Sequence, residues 1–105
     1  MAMNLTSKQR AYLRSLAQNI KATLQIGKEG VTPAVVTAVE EHFNTRELVK
    51  LTVLKTADED VREIGETLAG RTRSTLVEVI GRKIVLYKQD PDDPEIKLPP
   101  APKGV

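Results

Sequence analysis

The chain has no cysteine and no tryptophan, a single histidine, and only three aromatic rings, at Tyr12, Phe43 and Tyr87. Each shortage removes a class of function. Without cysteine there are no disulfides and no thiolate metal sites, which is compatible with a reducing compartment. Three scattered rings cannot form the stacking platforms on which sheet-type RNA binders and single-strand grooves hold bases. No apolar run approaches the ~20 residues of a membrane span, and no charged-then-apolar leader opens the chain. A cytoplasmic protein without membrane contact is the expectation. Groups for catalysis are scarce too. His42 lies in a helical stretch beside Glu41 and Phe43, the ordinary setting of a surface or core-edge histidine. There is no Gly-x-Ser-x-Gly turn and no cysteine nucleophile. Glu40 and Glu41 are adjacent, so a helix points them apart. No His or carboxylate cluster has metal-ligand spacing, and the Gly-x-x-x-x-Gly-Lys-Ser/Thr loop of nucleotide hydrolases is missing. No catalytic set, metal or cofactor is expected.

What is present fits one small domain. A chain of 105 residues can bury roughly two-thirds of its unfolded surface in one core. The net charge is +2, but it is unevenly placed. Residues 1–89 carry fourteen Lys or Arg against ten Asp or Glu, a balance of +4, and residues 90–105 carry two against four, a balance of −2. The body is moderately basic and the tail mildly acidic. Ordinary solubility accounts for such a surplus as well as an anionic partner does.

The residue pattern predicts the order α-β-α-β-α-β-β. Thr6 can cap a first helix, with Gln9 as its capping-box partner. Leu13, Leu16, Ala17 and Ile20 recur at helical spacing, and Arg10, Arg14 and Lys21 fall near one another at about 100° per residue, a basic stripe beside the apolar one. A short strand spans 22–26. A second helix starts at Pro33, capped by Thr32, and runs to about residue 43. The β-branched run 48–54 reads as a strand. Asp58, Glu59 and Asp60 open a third helix, where acids favour the positive end of the helix dipole, and Gly70 is its expected end. Strands at 75–80 and 83–88, joined by Gly81-Arg82, form a hairpin. Helices after the first two strands imply crossovers, hence a mixed four-stranded sheet with helices packed on it, an α/β fold. From Gln89 onward, proline and acidic residues predict an extended tail, pinned where Ile96 and Leu98 touch the body. The folded domain is placed at 1–98 and a disordered tail at 99–105.

The most informative segment is Leu24-Gln-Ile-Gly-Lys-Glu-Gly-Val-Thr-Pro33. A strand ends in a Gly-x-x-Gly loop that feeds a capped helix. Chance alone produces such a glycine pair in a chain this long about half the time, and a plain strain-relieving turn explains it equally well. Its setting points further. Bare backbone at Gly27 and Gly30 admits a close approach by a sugar-phosphate chain. The loop amides and the first helical turn can donate to phosphate oxygens, and Lys28 adds charge. Glu29 opposes this.

Three segments together, the loop at 24–32, Arg-Glu-Leu-Val-Lys at 46–50 and Val-Ile-Gly-Arg-Lys-Ile-Val-Leu-Tyr-Lys at 79–88, resemble the YhbY family. These are single CRM domains, named for chloroplast RNA splicing and ribosome maturation. The likeness covers about residues 4–98. It implies a compact α/β fold similar to the C-terminal domain of translation initiation factor three. It also implies RNA binding, association with precursors of the large ribosomal subunit, and a role in ribosome assembly. In that family the glycine loop belongs to the RNA surface, here Gly27, Lys28, Glu29 and Gly30. Lys50 matches a family lysine. Two positions on, where the family commonly carries another basic residue, this chain has Thr52.

The expectation is therefore a non-enzymatic protein that grips ribosomal RNA through this loop and Thr32. Arg10, Arg14, Lys21, Lys50 and Lys55 extend the contact, and Arg71, Arg73, Arg82 and Lys83 form a second patch. Large-subunit precursor particles and ribosomal proteins are the implied partners. The alternative is a protein-interaction module for which RNA contact is incidental. A hydrolase dependent on His42 or on a carboxylate pair is the third reading.

Overall fold

The computed structural model describes residues 4–100. The elements are α1 (Ser7–Ala17), β1 (Leu24–Ile26), α2 (Pro33–Phe43), β2 (Leu48–Val53), α3 (Val61–Thr72), β3 (Thr75–Ile80) and β4 (Lys83–Tyr87). The expected order holds. The strands form one mixed sheet in the order β1-β2-β4-β3, with β1 parallel to β2 and the other two pairs antiparallel.

Strand alternation divides the core in two. Val49, Leu51 and Val53 of β2 point with Ile84 and Leu86 of β4 to the face covered by α2 and α3, where Val39, Ile64 and Leu68 are fully buried. Leu48, Val85 and Tyr87 point to the opposite face, where Leu13 and Ala17 of α1 cover them. Each fully buried Leu or Ile in these clusters stabilises the fold by about 1.5–3 kcal/mol through removal from water. The helix starts follow the sequence signals. Thr6 Oγ1 accepts from the Gln9 amide and the Gln9 side chain accepts from the Thr6 amide, a closed capping box.

Three expectations are corrected. Gly70 does not end α3. The helix runs on to Thr72, and Arg73 supplies the left-handed turn at φ 56°. The end holds without glycine because its carbonyls find donors: Ser74 N–H bonds Ala69 O at 2.9 Å and Lys88 Nζ bonds Thr72 O at 3.1 Å. The basic stripe on α1 does not form either. The helix stops at Ala17, so Lys21 lies in the connection to β1, and the Arg10 guanidinium folds onto β3. The first strand is shorter than expected, with Thr23 contributing one bond to Lys50 O.

The segment after β4 has no regular secondary structure, yet it is fastened. Glu47 is 5% exposed, and its carboxylate accepts from the amides of Asp90, Glu95 and Ile96 at 2.7, 2.9 and 2.7 Å. Ile96 and Leu98 pack on the α1 face, as expected, and Gln9 Nε2 donates to Pro99 O. The remainder of the proposed tail, 101–105, lies outside the described residues. Tyr87 is fully buried beside this segment, and its hydroxyl has no hydrogen-bond partner among the described residues. Burial, and next the charge of Glu47, push its phenol above the ordinary value.

Candidate functional site

The glycine loop sits where the parallel strands β1 and β2 end. Gly30 N–H donates to Gly27 O at 2.9 Å, closing a four-residue turn. The two glycines have different reasons to be there. Gly30 is buried at φ +66°, and a Cβ on it would stand 2.5 Å from Glu59 Oε1. The left-handed backbone there favours glycine, whereas the end of the flexible Glu59 side chain could move aside. Gly27 carries no such constraint, since a Cβ there would meet only Leu54 and Thr56 at an ordinary 3.8 Å. Thr32 is extended, and its hydroxyl accepts from Val35 N–H at 3.2 Å, so it is committed to capping α2. Val31 anchors the loop by packing against the α2–α3 core. The amides of Lys28, Glu29 and Val31 donate to nothing among the described residues, and the side chains of Lys28 and Glu29 are exposed. Free amides beside a helix N-terminus form a cradle for an anion.

The β3–β4 turn is tied to this end of the sheet. Arg82 O accepts from Val53 N–H at 2.7 Å, Arg82 Nε donates to Val53 O at 2.8 Å, and its Nη2 donates to Leu54 O. Leu54 N–H in turn bonds Ile26 O. Lys55 and Lys83 are exposed at this end. Acids gather on the other side of the loop, where Glu59 touches Gly30 and Asp60 caps α3.

The remaining basic positions spread out. Arg10 Nη1 donates to Leu76 O and Val77 O at 2.8 and 2.6 Å, where β3 is irregular against β4. Lys50 Nζ donates to Ala17 O at the end of α1, and Arg14 Nε lies 4.0 Å from Glu78 Oε1. Lys21 is exposed. Arg71 and Arg73 stand at the start of β3, whereas Arg82 and Lys83 follow its end. A six-residue strand separates the two pairs by about 17 Å, so the four residues do not make one patch. His42 is half-buried, and Nδ1 lies 2.8 Å from Ala38 O, a bond to its own helix. Among the described residues no group of three His, Cys, Asp or Glu could hold a metal, and no helix is long and apolar enough to cross a membrane.

Residues 5–88, which span the glycine loop, its capped helix and the β3–β4 hairpin, match the CRS1/YhbY (CRM) domain model. The chain belongs to the CRS1/YhbY family. Its relatives in that family include the Probable RNA-binding protein YqeI of Bacillus subtilis, 40% identical over 95 residues that cover 90% of this chain and 99% of the relative. A protein of Haemophilus influenzae named RNA-binding protein is 30% identical, covering 90% of this chain and 95% of its own length. The solution structure of a hypothetical protein from Staphylococcus aureus superimposes with a TM-score of 0.78 at 45% identity, covering 91% of this chain and all of that one. As a CRM domain the chain has its expected resemblance confirmed. Lys83, singled out in the sequence as a basic candidate, pairs in register with Thr52 and Ile80, and Thr52 with Gln25; only strand register brings these four together.

Proposed function

We propose that this CRM domain binds structured RNA by its phosphate backbone, with the Gly27–Gly30 loop as the point of closest approach, and that it serves large-subunit ribosome assembly. Family membership and the names of the relatives support RNA as the partner. The observation that carries the role of the loop is the contrast between its glycines. Gly30 is explained by its φ of +66°, but nothing inside the fold calls for the missing side chain at Gly27. An external chain pressed against that backbone does. Lys28 then adds a charge-assisted contact, and Lys55 and Lys83 extend it. Contacts of this kind fix position and carry little sequence information. The ribosomal setting rests on the family resemblance.

Gly27→Asp is the discriminating variant. Its Cβ fits, so the melting curve should match wild type. Its carboxylate faces the phosphate, so affinity for ribosomal RNA should fall at least tenfold. In parallel, log affinity of the wild type should decline with log salt at roughly 0.7–0.9 per phosphate contacted. A folded Gly27→Asp protein that binds RNA like wild type would sink the loop reading.

A further inference from the structure

One row of side chains crosses the whole sheet beside the loop. The register pairs Gln25 with Thr52, Thr52 with Lys83, and Lys83 with Ile80, so β1, β2, β4 and β3 each contribute one residue. All four lie on the α1 face, as Lys50 and Val85 do two residues along their strands. Further from the loop, α1 covers that face. At this end it does not: Gln25 and Lys83 are exposed, Thr52 is half-buried, and Ile80 is 60% exposed, the most exposed large apolar side chain among the described residues. A small notch of about 80 Å³ opens between Ala17, Lys50, Glu78, Ile80, Lys83 and Val85. The row spans three strand spacings, about 14 Å, and Gln25 is two residues from Gly27.

We infer that this row is a seat for unpaired RNA nucleotides that continue from the backbone held at the loop. The inference rests on the RNA reading above and adds base contacts to it. The chemistry is suited to bases rather than to phosphate alone. The Gln25 carboxamide is both donor and acceptor, and the Thr52 hydroxyl is the same, so both can pair with the edge of an unpaired base. Ile80 offers an apolar surface to a base face. Lys83 in the row and Lys50 beside it balance phosphate charge. The electrostatics favour this direction of travel. Acids at Glu59 and Asp60 flank the loop toward α3, whereas the acid nearest the row, Glu78, is paired with Arg14. One isolated apolar side chain among lysines is not the contiguous apolar patch of a protein-docking face.

The test uses the full chain and two labelled RNAs, a hairpin with a single-stranded flank and the same hairpin trimmed flush. Wild type should bind the flanked hairpin about tenfold more tightly, the scale of one or two good base contacts. The double variant Gln25→Ala/Ile80→Ser should lose that advantage and bind the flush hairpin as wild type does. Crosslinking from 4-thiouridine in the flank should map to the β3–β4 hairpin. Equal affinity of wild type for the two RNAs would overturn the inference, as would a variant that keeps the tenfold preference. Failure of the loop reading appears separately, as a Gly27→Asp protein that still binds the flush hairpin.

Discussion

At one end of the sheet a buried carboxylate, Glu47, collects three backbone amides of the segment after β4 and holds it against α1. At the other end the amides of Lys28, Glu29 and Val31 have no acceptor among the described residues. Both ends present donors, but only one supplies the anion from within the chain. Glu47 shows what the loop lacks. A carboxylate among N–H groups makes strong, charge-assisted bonds, and a phosphate oxygen could take the same role at the loop. The closed end therefore contributes to stability, and the open end leaves its amides available for the RNA contact proposed above.

That contrast makes separable predictions. Glu47→Ala should have the largest effect, a loss of about 2–3 kcal/mol in urea unfolding, with faster hydrogen exchange at the amides of Asp90, Glu95 and Ile96. Its RNA affinity should stay at the wild-type value, and a parallel loss of binding would show that the ends are not independent. Glu29→Lys should act oppositely. It should leave the melting curve in place, strengthen RNA binding by about 1 kcal/mol, and raise the salt slope by about 0.7–0.9. The smallest effect at neutral pH belongs to Tyr87→Phe, a change under about 1 kcal/mol because the hydroxyl has no partner to lose. Its signature lies at alkaline pH. The folded state holds the phenolic proton more tightly than the unfolded chain does. The resulting stabilisation is full below about pH 10 and is lost as pH rises through the raised folded value. Unfolding followed by fluorescence-independent circular dichroism should show that alkaline loss in wild type and not in Tyr87→Phe.

Much of this was legible in the residues. Thr6 with Gln9 and Thr32 with Pro33 fix two helix starts through local hydrogen bonds, and structure reproduces both. The β-branched runs fix strands β2, β3 and β4 to within a residue. Gly70 misled because glycine permits a helix end without compelling one, and a left-handed Arg73 with Lys88 behind it met the requirement instead. The basic residues were legible in number but not in availability. Arg10 and Arg82 carry the same charge as Lys83, yet their guanidinium groups are occupied by carbonyls of β3 and of the β2 end.

Element order, the loop and its capped helix were written in the residues themselves, because capping, strand propensity and apolar periodicity act over a few neighbouring residues. Tertiary structure decided which glycine is spare and which is structural, since the packed loop holds Gly30 at φ +66° and leaves room for a Cβ at Gly27. It also decided that Gln25, Thr52, Lys83 and Ile80 stand in one row. Cross-strand register arises from the packing of the whole sheet, and no local pattern encodes it.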